Sequence, residues 1–326
     1  MSLQFIHSHD STKQHTDTIW STRWLPNDTV VSISSDGTAT QWDAKNGEVI
    51  KSLQPHPLAL TSLSSNASGT QVLINSIEGT NFLWDLESGH AQEKLETFTH
   101  KVEGVEATFS VSLSPLADTY ASTGSSGMVR IHRTDHENFG QVVEKLSPRT
   151  DGRNKFGMFV AYSPDGGRIA LSTDQGGVFV FDIQSKSLVH SFPGHATCVR
   201  SLAWSADSQL LLSGSDDKRM VLYDTRSASA SANSSEGVVA SMAGHSSWVL
   251  STDFSLDSRL AASGSSDGTV KIWDIGGRQC VSTLSDNAGE VWGVSWKPVP
   301  SAGNGALVSS GEDGKLRFWA SAGSQP

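Results

Sequence analysis

The feature that most constrains this chain is a twelve-residue pattern that returns seven times. It is plainest in Ser32–Asp43 (SISSDGTATQWD), Ile74–Asp85 (INSIEGTNFLWD) and Ser263–Asp274 (SGSSDGTVKIWD); weaker copies start at Ser122, Leu171, Ser213 and Ser309. The eleventh position of each copy holds a ring: Trp42, Trp84, His132, Phe181, Tyr223, Trp273 and Trp319. Successive rings lie between 42 residues (Trp42 to Trp84) and 50 residues (Tyr223 to Trp273) apart. A chain with that period stacks one supersecondary unit against the next, because no single unit can bury its own apolar faces. Each copy reads as strand, tight turn, strand, since β-branched and aromatic residues flank a short polar turn. Six turns carry Gly37, Gly79, Gly127, Gly176, Gly268 or Gly314 where a positive φ is demanded, and the fifth carries Lys218. A further strand precedes each copy and ends in a polar turn, as in Phe159–Gly166, Arg200–Ser208 and Ser251–Ser258; a fourth follows, as in Cys280–Leu284. Four antiparallel strands repeated seven times predict an all-β, seven-bladed β-propeller occupying residues 1–326 as one domain.

Closing such a ring requires a strand from the other end of the chain. The last copy reaches Trp319, and Ala320 to Pro326 read as a polar C-terminal tail too short for a fourth strand. The apolar segment Leu3–His7 is expected to complete the last blade and cover its exposed edge. Two segments fall outside the repeat. Arg226–Gly237 is rich in Ser and Ala and is expected to be a disordered loop between the third and fourth strands of blade five. Asp135–Arg153 holds an outer strand, QVVEKL, and a long connection.

A net charge of −10, with Lys and Arg scattered rather than clustered, opposes direct binding to nucleic-acid phosphate. No apolar run approaches the length of a membrane helix, and the first residues lack the basic and apolar regions of a secretory signal. Cys198 and Cys280 form neither a CxxC pair nor a disulfide framework. These features lead to the expectation of a protein inside the cell that is monomeric on its own, with no membrane contact.

His15, Ser32, Asp36 and Trp42 stand in the same relative positions as His245, Ser263, Asp267 and Trp273, apart from one residue of slip. The set, with its period, resembles the structural tetrad of the WD-repeat family. A His ring bridges a carboxylate and a hydroxyl while the hydroxyl accepts the indole N–H, so four buried polar groups satisfy one another. Blade five repeats His195, Ser213 and Asp217 with Tyr223; blade seven keeps Ser309, Asp313 and Trp319 but has Asn287 near the His position. In blades two, three and four Glu78, Ser126 and Gln175 replace the turn Asp, so those blades are expected to lean on apolar packing. Ser, His and Asp are also the parts of a hydrolase triad. A catalytic set has no reason to recur in several blades with a fixed ring partner, and no G-x-S-x-G elbow occurs. No enzyme activity and no cofactor is expected. His7, His9 and His15 lack the Cys or carboxylate spacing that would complete a metal site.

Four residues beyond His15 and His245 come Ile19 and Val249, flanked by Thr18 and Trp20, and by Trp248 and Leu250. Matching positions in other blades are Thr61, Phe109, Phe156 with Met158, Cys198 with Arg200, and Glu290 with Trp292. The resulting ring at one mouth of the channel is mostly apolar, and a contiguous apolar patch with Trp and Arg anchors marks a docking surface. The partner-binding residues are therefore taken as Trp20, Phe109, Phe156, Met158, Arg200, Trp248, Leu250 and Trp292. Trp248, Leu250, Trp292 and Trp20 should form one patch across blades six, seven and one, with Phe156 and Met158 opposite and Glu290 and Asp17 placed to take a partner's Arg. The competing reading is that these side chains plug the channel.

The segments DTIWSTRW, GRNKFGMFVAYSPDGGRIA, GHATCVRSLAWSADSQLLLSGSDD, GHSSWVLSTDFSLDSRLAASGSSDGTVKIWD and EVWGVSWKP, in that order, resemble the WD-repeat subunits of the Ski (superkiller) complex. The resemblance is strongest over residues 153 to 296, and the length and insertions look fungal. It implies a scaffold in a cytoplasmic assembly with an RNA helicase and a large tetratricopeptide-repeat protein, feeding mRNA to the exosome for 3′–5′ decay. It also implies a nuclear pool: relatives act with a protein of meiotic double-strand-break formation in fungi and in an RNA polymerase II elongation complex in animals. The alternatives are another WD adaptor, such as a ubiquitin-ligase substrate receptor, and an enzyme built on a propeller, which the apolar ring disfavours.

Overall fold

The computed structural model describes residues 4–95, 108–148, 156–226, 237–298 and 305–322. These residues form 28 strands in seven antiparallel four-stranded sheets, arranged as the blades of a propeller. In blade one the strands run from the channel outward as Ile19–Trp24, Thr29–Ser34, Ala39–Asp43 and Val49–Ser52. The other blades repeat that meander.

Each sheet is covered on both faces, which is why consecutive residues of the second strands are buried instead of alternating with exposed ones. Val30 packs with Val308, Leu316 and Phe318 of blade seven, whereas its neighbour Val31 packs with Leu60, Val72 and Trp84 of blade two. The core is thus a set of apolar layers between blades. Around the channel the inner strands are joined by a second device. Backbone N–H groups of one inner strand donate to hydroxyls of its neighbour: Val111 to Ser62 at 3.0 Å, Val160 to Ser110 at 3.2 Å, Val294 to Ser251 at 3.1 Å and Trp24 to Ser295 at 3.1 Å. Small hydroxyls let the strands converge at the axis and still satisfy backbone donors that strand divergence would leave bare.

The ring closes through the N-terminal strand, with its boundaries moved from those expected. The strand runs Phe5–Asp10, not Leu3–His7, and pairs with Leu316–Ser321. The tail expected from Ala320 is likewise corrected: the third strand of blade seven continues through Ser321, and Ala322 N donates to Gln4 O at 2.7 Å. The physical reason is mutual extension, since each strand supplies the other's backbone partners. Phe5 is buried edge-on against Trp296 at 5.5 Å, and His9 stacks on Phe318 at 4.5 Å. The connection then seals blade seven to blade one, with Ser11 N on Leu316 O and Thr12 N on Gly47 O, both at 2.9 Å. Residues 1–3 and 323–326 lie outside the described residues, as do 227–236 of the expected disordered loop. At its edges Arg226 grips Asp224, and Asp224 N donates to Gly237 O at 2.7 Å.

Candidate protein-binding face

The tetrads come first, because they decide whether Ser, His and Asp are available for chemistry. In blade six His245 Nδ1 lies 2.9 Å from Asp267 Oδ2, its Nε2 lies 2.7 Å from Ser263 Oγ, and Trp273 Nε1 donates to that hydroxyl at 2.8 Å. Blade five has His195 to Asp217 at 2.8 Å and to Ser213 at 2.6 Å, with Tyr223 at 3.4 Å completing the set weakly. In blade one the His15 Nδ1 partner is Thr38 Oγ1 at 2.7 Å, itself bonded to Asp36, while Ser32 joins His15 and Trp42 at 2.7 Å each. Burial holds all three imidazoles below their ordinary pKa, against the pull of their Asp partners. Burial alone would raise Asp267, but hydrogen bonds from Thr269, Ser246 N and His245 hold it at about 2. Ser32, Ser213 and Ser263 are wholly buried, so none can reach a substrate.

The remaining blades depart in ways legible from single residues. Blade two has Ile74 at the hydroxyl position, and Trp84 Nε1 is buried with no acceptor among the described residues. His56, which the sequence reading did not single out, meets Glu78 at 3.2 Å. In blade three His132 takes the indole's place, 2.7 Å from Ser122 Oγ. Blade four replaces the network with Leu171 and Phe181, both buried. In blade seven Asn287 reaches Ser309 at 3.1 Å, and Asp313 is held by the mostly buried Arg317.

The channel mouth is built by a repeated irregularity. In all seven blades the pairing of the inner strand with the second strand slips by one residue near its start, as between Ile19 and Ser21. The residues so bulged are Trp20, Thr61, Phe109, Met158, Arg200, Leu250 and Trp292. A bulge re-aims a side chain, and these all line the axial channel, a cavity of about 440 Å³. Trp20 and Trp292 stack with ring centres 5.9 Å apart, Phe109 meets Phe156 edge-on at 5.4 Å, and the Arg200 guanidinium lies 5.1 Å from the Trp248 ring centre. Glu290 accepts the Trp292 indole N–H at 3.1 Å. Trp248 and Phe156 are not part of the channel wall; they stand on the rim, Trp248 with 45% of its surface exposed. Leu250 corrects the sequence reading. It lines the channel but is only 6% exposed, so it offers a partner little surface of its own. Deeper in the channel Asp253 accepts from Trp296 N at 2.8 Å and faces Arg23 at 3.6 Å; burial pushes its carboxyl pKa up.

A seven-bladed propeller with buried His–Ser–Trp networks and an aromatic channel mouth is the architecture of a WD-repeat protein, a class whose propellers mediate protein–protein interactions. The family model "WD domain, G-beta repeat" matches residues 6–43, 186–224, 237–274 and 278–320. The longest stretch without a match, 44–185, contains blades two and three and the first three strands of blade four, blades in which the tetrads are incomplete. Meiotic recombination protein rec14 of Schizosaccharomyces pombe is 32% identical over 328 aligned residues, covering all of both chains. WD repeat-containing protein SL1-17 of Schistosoma mansoni is 29% identical over 65% of this chain and 68% of its own length. WD repeat-containing protein VIP3 of Arabidopsis thaliana is 30% identical over 61% of this chain and 64% of its own. The chain belongs to the WD-repeat family.

Proposed function

We propose that this protein is a non-catalytic scaffold that holds segments of other proteins at the tryptophan-rich mouth, as the WD-repeat subunit of a Ski complex supporting exosome-mediated 3′–5′ mRNA decay. Its partners there are a tetratricopeptide-repeat protein and an RNA helicase, and its main location is the cytoplasm. The observation that carries the docking reading is the Trp20–Trp292 stack beside exposed Trp248, a preformed apolar surface with Glu290 at its edge. Large aromatic side chains on a rigid frame dominate protein interfaces when they enter a partner's pocket or receive its side chains. A second role in meiotic recombination, from a nuclear pool, is supported by full-length similarity to a relative named for that process.

Affinity purification of the tagged chain from vegetative and meiotic cell extracts tests the proposal. Recovery of a helicase and a tetratricopeptide-repeat protein is expected, and both should be lost with Trp20→Ala combined with Trp292→Ala at an unchanged melting temperature. Recovery of cullin-ligase components instead would replace this reading with that of a substrate receptor. A fluorescent fusion confined to the nucleus in vegetative cells would contradict the assigned location.

A further inference from the structure

Arg200 stands in the bulge of blade five with its cation already engaged. Its Nε donates to Asp216 Oδ1 at 2.5 Å and its Nη2 to Asp216 Oδ2 at 2.9 Å, a two-point clasp in which the side chains are 25% and 14% exposed. Asp216 is itself held from behind, its N–H donating to Cys198 O at 3.0 Å. The guanidinium lies against the Trp248 ring, 5.1 Å from its centre. Trp248 belongs to blade six, where its carbonyl accepts from Ser266 N at 3.0 Å. The backbone of this rim residue is thus anchored to one blade while its indole rests on the next.

We infer that Arg200 and Asp216 are positioning residues: together they form a prop across blades five and six that fixes the Trp248 ring on the rim, and Arg200 offers no free cation to a partner. The inference deepens the reading of this mouth as a docking face and rests on it. It also changes the role that sequence alone suggests for Arg200, from an anchor that touches the partner to one that acts through Trp248. An indole held in place before binding spares the interface the entropy of ordering it. A carboxylate clasp makes that hold directional, because a planar guanidinium fixed at two points presents one face to the ring.

The test uses the full chain labelled with 5-fluorotryptophan and fluorine NMR without any partner, the Trp248 signal being assigned with Trp248→Phe. Asp216→Asn and Arg200→Met are each expected to shift and broaden the Trp248 signal while the buried Trp42, Trp273 and Trp319 signals and the melting temperature stay unchanged. Arg200→Lys keeps a cation over the ring without the clasp and should give an intermediate signal. A Trp248 signal unmoved in both Asp216→Asn and Arg200→Met overturns the inference. A second arm measures affinity for the tetratricopeptide-repeat chain. Asp216→Asn frees the Arg200 cation, so a prop predicts binding weaker by about threefold to fivefold, the worth of one exposed cation–π contact. Tighter binding would mean that Arg200 meets the partner directly, and would overturn the inference; equal binding with a shifted Trp248 signal supports the prop and counts instead against this partner docking on Trp248. The NMR arm needs no partner, so it decides even if the proposed partners are wrong.

Discussion

At the scale of single residues, the clearest regularity is the left-handed position in the turn between second and third strands. All seven turns adopt it, from φ +63° at Gly127 to +94° at Gly79, and Lys218 follows at +69°. The turn geometry therefore overrides the residue, and Lys218 bears a cost of about 1–2 kcal/mol that glycine avoids. Lys218→Gly should raise stability by up to about 1 kcal/mol once the extra freedom of the unfolded chain is offset, as read by urea midpoint. The reverse change fails for a second reason. A Cβ on Gly176 would sit 2.3 Å from the His195 carbonyl of the next blade, so Gly176→Ala should cost about 1–3 kcal/mol or more. Blade two allows a sharper comparison. Ile74→Ser would give Trp84 Nε1 its missing acceptor, worth about 1 kcal/mol, but would remove a buried isoleucine side chain whose truncation costs about 2–5 kcal/mol. Ile74→Ser is accordingly expected to destabilise, and a stabilised variant would show that the orphaned indole outweighs packing. Ser263→Ala, by contrast, strands both Trp273 and His245 and should cost about 1–3 kcal/mol.

At the scale of elements, the closing strand carries more than its own pairing. It supplies the outer edge of blade seven, buries Phe5 against Trp296 and leads into the seal on Gly47 of blade one. Blades in a closed ring are coupled to two neighbours each, so loss of one strand removes the edge contact that completes the ring. Deleting residues 1–10 should lower the melting temperature of the whole domain, and Phe5→Ala alone should cost about 3 kcal/mol. An unchanged melting temperature for the deletion would show that the ring is held closed without this strand. The inner strands illustrate a signal that sequence reading passed over. Alternate serines in Leu60–Ser65 and Thr108–Leu113 look like a weakly polar strand, yet they bond the backbone of the next blade. Period-2 polarity announces an exposed face, and here the face is the joint between blades.

At the scale of the whole molecule, several neutral imidazoles are built into the fold, and this sets its response to acid. Burial lowers the folded-state pKa of His15, His195 and His245 below 6.5, so the unfolded chain binds more protons just below that pH. Their contribution to stability is complete above pH 6.5 and declines as pH falls toward their folded-state values. The Asp267 carboxylate works the same way lower down: its contribution is present above the unfolded value of 3.8 and is lost as pH falls toward about 2. Urea midpoints measured across pH 5 to 8 should fall on the acid side, and a flat profile would contradict the neutral, buried assignment.

The number of blades, the turn positions and the tetrads in blades one, five and six were legible in the sequence because they repeat, and a repeated constraint marks its own residues. So was the ring of mouth positions: Trp20, Arg200 and Leu250 each stand five residues beyond a tetrad His, and the strand pattern located the rest. What only the tertiary structure decided depends on contacts between residues far apart in the chain. The closing strand took its limits from the strand it meets, Leu250 is buried in the channel wall, and His56 found Glu78 without the turn aspartate that would have announced it. Arg200 is the sharpest case: its offset placed it at the mouth, but its clasp on Asp216 within blade five and its place against Trp248 of blade six are contacts that only the fold supplies.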